Sequence, residues 1–307
     1  MTAAEFPKAY LTGALWWWSA NVFRPTQAAR RLGLALAPVP EGDPIDAPRG
    51  PGLGPHFSAR NAQPVLLDHP TDHDHLVEEF DRFAEAYDAF VAPFSVPVFS
   101  EALTALAPWL GPDRRVLDAG CGAGRELLRV ARMVPAGEVV GIDLAAGMVR
   151  RAHGAARAAG ADNTAFFQAD VGDLPAEFAG AFDLVYNSLA HHHYPDPPAA
   201  AAAILACLRP GGVYAIVDPG PSWFNRISAP VAKWADPGWV GFHDPPGFRA
   251  LLLGAGFARM SWQELLPGIG LALAQKGEKP GAGRAARPLC EDGAVVEFRV
   301  SRTDRGE

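Results

Sequence analysis

Cysteine is scarce: the 307 residues hold three, Cys121, Cys207 and Cys290, far apart and odd in number. That excludes a disulfide framework in a chain of this length and fits a reducing compartment. Positive charge is also short. Lys and Arg total 27 against 34 Asp and Glu, for a net charge of -7. No basic run supplies the electrostatic footprint that a phosphate backbone requires, so no nucleic acid partner is expected. A long hydrophobic run is missing too. The most apolar N-terminal stretch, residues 11–23 with Trp16, Trp17 and Trp18, is too short to span a bilayer. It also lacks the basic start and small-residue cleavage pattern of a signal peptide. No membrane span and no export are expected, and the location is read as cytoplasmic.

Proline and glycine are plentiful and clustered. Pro38, Pro40, Gly42, Pro44, Pro48, Gly50, Pro51, Gly52, Gly54 and Pro55 break both helix and strand, so residues 37–64 read as a linker. They set off an N-terminal arm, residues 1–36, whose tryptophans suit an oligomer contact, a lid or plain packing; a homo-oligomer stays open. From Asp74 apolar residues recur at helical spacing (Leu76, Phe80, Phe83, Tyr87, Phe90). Pro93 and Pro97 interrupt this pattern, and a second helix is expected over 98–110. Residues 65–112 therefore form a helical cap.

Beyond it the chain alternates apolar runs and helical segments, the signature of βαβ units and a parallel sheet. Strands are expected at 115–119, 139–143, 165–169, 182–187, 212–218, 260–265 and 270–275. Helices are expected at 124–133, 146–159, 198–207 and 246–253. Only Pro267 and Gly268 join the last two strands, too few for a helical crossover, so that pair should be antiparallel. The fold class is thus α/β: a Rossmann-like doubly wound sheet, mostly parallel with an antiparallel C-terminal hairpin, plus an N-terminal helical extension. The core covers 113–276, with a lid insertion at 219–243. A C-terminal extension, 277–307, holds one more alternating stretch at 294–300.

The strongest local signal runs Val116-Leu117-Asp118-Ala119-Gly120-Cys121-Gly122-Ala123-Gly124. It reads as a buried strand, an acid at its carboxyl end, and glycines that let the backbone turn tightly beside a ligand. The Gly-x-Gly-x-Gly spacing differs from a dinucleotide loop, which wants two residues before its last glycine. Asp118 would repel a pyrophosphate but attract an ammonium group. A helix cap is its plainer reading. Asp143, ending the second strand, suits both hydroxyls of a ribose. Asp170 with Val171 suits an adenine amino group and ring, or an ordinary loop acid.

Together with Phe182 to Asn187 and Leu208-Arg209-Pro210-Gly211-Gly212, these motifs resemble the class I S-adenosylmethionine-dependent methyltransferases. Within them the chain is most similar to small-molecule enzymes of the ubiquinone and menaquinone biosynthesis type. The resemblance covers residues 75–276. It implies S-adenosylmethionine as cofactor, with Asp118 and the Gly120, Cys121, Gly122, Gly124 loop at the methionine part, Asp143 at the ribose, and Asp170 with Val171 at the adenine. It adds Leu144, Met148 and Asn187 to the cofactor set, and Tyr87 as a residue folding over it. Ala145 departs from the serine that many relatives carry.

The fourth strand leads into His191-His192-His193-Tyr194-Pro195-Asp196, just past the carboxyl end of a central strand, where open α/β sheets place their chemistry. Relatives often carry two histidines there, so His192 and His193 read as packing residues or further base candidates. His191 is the less expected one and the first candidate for taking the acceptor's proton. A metal reading, drawing on Asp68, His69, Asp72, His73, Asp74 and His75, is set aside because neighbouring side chains rarely converge on one ion. Trp223, Phe224, Arg226, Trp239 and His243 in the lid are candidates for binding a small, apolar or aromatic methyl acceptor at O, N or C. The alternatives are non-methyl-transfer chemistry on the same cofactor, or a non-catalytic partner protein of this fold.

Overall fold

The computed structural model describes residues 41–43, 45, 63–66, 77, 80, 95–220, 240–266 and 268–278. The N-terminal arm, Tyr87, Trp223, Phe224, Arg226, Trp239 and the stretch 294–300 lie outside the described residues, as does nearly all of the helix expected from Asp74.

Eight strands form one sheet. They are β1 (Glu41–Gly42), β2 (Arg115–Ala119), β3 (Glu138–Asp143), β4 (Thr164–Gln168), β5 (Phe182–Ser188), β6 (Leu208–Pro219), β7 (Arg259–Leu266) and β8 (Ile269–Gln275). The spatial order is β1-β7-β8-β6-β5-β2-β3-β4. Strands β2 to β6 are mutually parallel; β8 runs antiparallel to both β6 and β7, as the short Pro-Gly connection predicts. Strand β2 is buried at every position and β3 at all but its last, which is what near-continuous apolar runs imply for strands covered on both faces.

The helices are α1 (residues 95–106), α2 (Arg125–Met133), α3 (Ala146–Ala159), α4 (Pro197–Cys207) and α5 (Pro245–Gly254). One face of the sheet packs Val116, Val139, Leu184 and Val213 against Val98, Phe99 and Leu106 of α1, Leu127 and Val130 of α2, and Val149 and Ala152 of α3. The other packs Leu117, Val140, Val185 and Ile216 against Ala201 and Ile204 of α4 and Phe248 and Leu252 of α5. Both α4 and α5 begin with proline and an aspartate cap: Asp196 accepts from the Ala199 amide at 2.9 Å, and Asp244 from the Gly247 amide at 2.8 Å.

Two expectations are corrected. Pro97 does not precede α1; the helix already runs at Ser95. The 37–64 segment does not exclude strand. Glu41 and Gly42 add β1 to the β7 edge, and Val65 bridges to Phe167 on β4 at the opposite edge. A stretch near the segment's start and the residue just past its end are thus tied to opposite margins of the sheet, because unpaired edge amides and carbonyls accept a strand even where the local sequence disfavours one.

Candidate active site

Strand β2 delivers Asp118 to its carboxyl end, and Gly120, Gly122 and Gly124 follow with φ of +96°, +50° and +81°. Side-chain residues rarely adopt that region. Space forbids a side chain as well: a Cβ on Gly120 would stand 2.7 Å from Ala190 Cβ, and one on Gly124 2.9 Å from Ala152 Cβ. The loop is therefore wedged between α3 and the segment after β5. The amides of Gly120 and Cys121 both donate to the Ile142 carbonyl, at 2.9 and 2.8 Å.

Asp143 joins this loop to β3. Its Oδ2 accepts from the Gly122 amide and its Oδ1 from the Ala145 amide, both at 2.9 Å. Both oxygens accept amides, so the half-buried carboxylate is fixed in place beside the loop.

Asp118 is 2% exposed and accepts from the Tyr186 hydroxyl at 2.6 Å. Burial holds its carboxyl well above the usual range, opposed by the Tyr186 hydrogen bond and reinforced by the charges of Glu126 and Asp143. Burial likewise raises Glu126, on the first turn of α2. Two acids that resist ionisation side by side would be relieved by one cation, and an ammonium group meets that need.

At the next strand end, Asp170 Oδ1 accepts from the Gly172 amide at 2.7 Å, which shapes its turn, while Val171 packs against the α4 face of the core. The Leu144 carbonyl accepts from Gln168 Nε2 at 2.9 Å. Met148, Ala123 and Ala145 form a small apolar cluster covered by Phe80, whose ring also meets His193 edge-on at 5.1 Å. Phe80 thus covers this cluster. Cys121 turns its side chain inward. Its amide donates to the Ile142 carbonyl and its buried thiol packs into the core, so it helps to shape the loop.

The three histidines form a single 3-10 turn but face different surroundings. His191 is 3% exposed, with Tyr194, His243 and Phe248 rings around it, each 5.2 Å away between centroids. Its Nδ1 has no partner among the described residues. Burial, with His243 and His192 nearby, pushes its pKa down to about 3. An imidazole buried in a ring cluster with a pKa of about 3 binds a proton weakly, which speaks against the expectation that His191 takes the acceptor's proton.

His192 is different. Its Nδ1 lies 2.7 Å from Oδ1 of Asp218, the acid near the carboxyl end of β6, and its ring is not fully covered. His193 stacks on His192 at 4.2 Å and meets Phe80. His243, from the segment ahead of α5, joins the group through His191; burial lowers its pKa, while Asp218 and Asp244 raise it. Asn187, wholly buried, donates through Nδ2 to the Tyr194 and Tyr214 hydroxyls at 3.0 Å each, and Tyr194 donates to the Ala119 carbonyl at 2.6 Å. Its Oδ1 has no partner among the described residues. The histidine turn, the glycine loop and β6 are therefore locked together by tyrosines.

Residues 110–236 match the family model described as a methyltransferase domain. A trans-aconitate 2-methyltransferase from Deinococcus radiodurans is 32% identical over 62% of this chain and 68% of its own length. The chain belongs to the class I S-adenosylmethionine-dependent methyltransferases. Nocamycin O-methyltransferase from Saccharothrix syringae is 41% identical over 46% of this chain, which spans half of that enzyme's length. Among solved structures, the [4+2]-cyclase SpnF matches with a TM-score of 0.56 at 18% identity, over 70% of this chain and 100% of its own, a likeness of fold. The narrower ubiquinone and menaquinone likeness is carried by the motifs alone.

S-adenosylmethionine is this family's cofactor, and the residues of this methyltransferase fit it. The glycines leave room for a backbone-hugging ligand, Asp118 is a buried acid whose charge an ammonium group would balance, and Asp143 fixes a carboxylate beside the loop. Among the described residues no group of three or more His, Cys, Asp or Glu is arranged to hold a metal ion, and no helix is long and apolar enough to cross a membrane. Sequence reasoning missed Asp218, Glu126, Tyr186 and the Phe80 cover. The rule that chemistry gathers at strand carboxyl ends could have found Asp218; nothing local announces the others.

Proposed function

We propose that this methyltransferase methylates an oxygen of a small molecule, with His192 accepting the proton that the oxygen loses. The observation that carries the reading is the His192 to Asp218 hydrogen bond of 2.7 Å. It stands on the turn after β5, whose Ala190 abuts Gly120 of the cofactor loop. In this reading Asp118 and Glu126 hold the ammonium group, Asp143 the ribose hydroxyls, and Asp170 and Val171 the adenine, while Phe80 and the lid residues exclude water. When bound, S-adenosylmethionine supplies a methyl group already activated by its sulfonium. The protein's task is then alignment, dehydration and proton removal. Oxygen is favoured over a neutral amine because a hydroxyl gains most from a base in the transition state. The O-methyltransferase activity of the relative from Saccharothrix syringae supports the same choice.

The test is calorimetric titration with S-adenosylmethionine, S-adenosylhomocysteine and NAD, followed by a screen of hydroxylated acceptors with methyl-labelled cofactor. Binding of the two adenosyl ligands alone, then label on a product oxygen, is the expected result. NAD binding would reject the cofactor placement. Product without transferred label would reject methyl transfer in favour of other chemistry on the same cofactor.

A further inference from the structure

Asp218 is 1% exposed near the carboxyl end of β6, yet only its Oδ1 is used, by His192 Nδ1. Oδ2 has no partner among the described residues. A buried carboxylate with a single strong partner is expensive to keep as packing alone, since an apolar residue of similar size would fill the place at lower cost. Its neighbours give it a direction. Tyr194 and Tyr214 hydroxyls and His243 all lie within electrostatic reach of it. His191 and His193 flank His192 on its own turn, and the Val240 amide donates to the His192 carbonyl at 2.7 Å, holding that turn against the segment ahead of α5. The rings of Phe242 and His193 bound His192 at 6.0 and 4.2 Å. Among the described groups facing His192, Asp218 carries the hydrogen-bonding charge.

We propose that Asp218 is a positioning residue for proton transfer: it accepts the Nδ1 proton of His192, so that Nε2 is the basic nitrogen turned to the acceptor, and it stabilises the imidazolium that forms. This rests on the reading of His192 as the base. In the step served, the acceptor oxygen bonds to the methyl carbon as that carbon's bond to sulfur breaks and the sulfur keeps the electron pair. The hydroxyl proton passes to His192 Nε2 and from there to solvent. No other reactant is needed. A carboxylate on Nδ1 fixes the tautomer and favours the protonated ring, the two properties a base needs.

The test needs no acceptor. The whole protein, labelled with nitrogen-15 histidine and saturated with S-adenosylhomocysteine, is titrated by NMR as wild type, Asp218→Asn and Asp218→Glu, with His192→Gln assigning the resonance. The expected wild-type spectrum shows His192 protonated at Nδ1. In Asp218→Asn its titration midpoint falls by about one pH unit or more, as loss of an adjacent opposite charge requires. Asp218→Glu restores most of that shift, and S-adenosylhomocysteine affinity stays within about twofold in both. An Nε2-protonated wild-type ring overturns the proposal whatever the variants do, and so does an unmoved midpoint in Asp218→Asn. Failure of the cofactor reading looks different: the wild type itself would not bind S-adenosylhomocysteine.

Discussion

At the scale of single residues, carboxylates of one charge do different work because their surroundings differ. Asp143 is held by two amides, so it organises the loop, and in the proposed reading it also meets the ribose. Replacing it by alanine removes both roles at once. Asp143→Ala is expected to weaken S-adenosylmethionine binding at least about a hundredfold, as two charge-assisted hydrogen bonds would imply; calorimetry reads this directly. Unchanged affinity would overturn the ribose placement. His191 shows the opposite economy. The native state refuses a proton down to a pKa of about 3, whereas an unfolded chain accepts it near 6.5. Below pH 6.5 the unfolded state therefore binds more protons, and native stability falls as pH drops towards 3. His191→Leu keeps the buried volume and removes that proton uptake. Its urea-denaturation stability is expected to fall less than the wild type's between pH 6.5 and 4.5, by up to roughly 2 kcal/mol, while cofactor affinity at pH 7.5 is unchanged. An equal acid sensitivity in both proteins would count against the buried, neutral assignment.

At the scale of elements, the βα unit from β2 to α2 carries most of the cofactor cradle. Its shape comes from three left-handed glycines, and Ala190 and Ala152 leave Gly120 and Gly124 no room for side chains. Gly122→Val places a branched residue at φ near +50°, which costs about 1–3 kcal/mol of strain and misdirects the amide that Asp143 accepts. The expected outcome is a folded protein, by circular dichroism, that no longer binds S-adenosylmethionine. A variant that binds normally would show that the loop tolerates another path. The unit was legible in the sequence because glycine spacing, a strand-end acid and a helix start are all local. The histidine turn was legible only as a position. Three identical neighbours acquire different roles from what packs on them: His191 meets Phe248 of α5, His192 meets Asp218 of β6, and His193 meets Phe80 of the cap. The local string Ala190-His191-His192-His193 does not contain those partners, so it could not tell one ring from another.

At the scale of the molecule, the two ends of the sheet are divided between stability and chemistry. The site gathers at the carboxyl ends of β2 to β6. At the other end Asp183, wholly buried, accepts from the Arg115 amide at 2.8 Å and pairs with Arg209 at 2.6 Å and Arg114 at 3.4 Å. Arg115 in turn pairs with Glu138 on β3 at 3.0 Å. These charges tie the starts of β2, β3, β5 and β6 together. Asp183→Asn removes the nearest counter-charge of Arg209 and Arg114 and should cost about 3 kcal/mol of stability, with S-adenosylmethionine affinity at 20 °C unchanged. Loss of affinity in a protein that is still folded would mean that the two ends of the sheet are coupled.

Strand and helix positions, the parallel order and the closing hairpin followed from the sequence alone, because apolar periodicity and connection length act over a few residues and need no distant partner. The positions of Asp118, Asp143 and Asp170 at or just past strand ends followed for the same reason. What only the tertiary structure decided was the partnership of residues far apart in the chain. Tyr186 reaches Asp118 across 68 positions, Asp218 reaches His192 across 26, and residues near the ends of the proline-rich segment reach both edges of the sheet. Burial and hydrogen bonding shift the protonation of Asp118 and Tyr186, and both are properties of the folded core, absent from any local stretch of sequence.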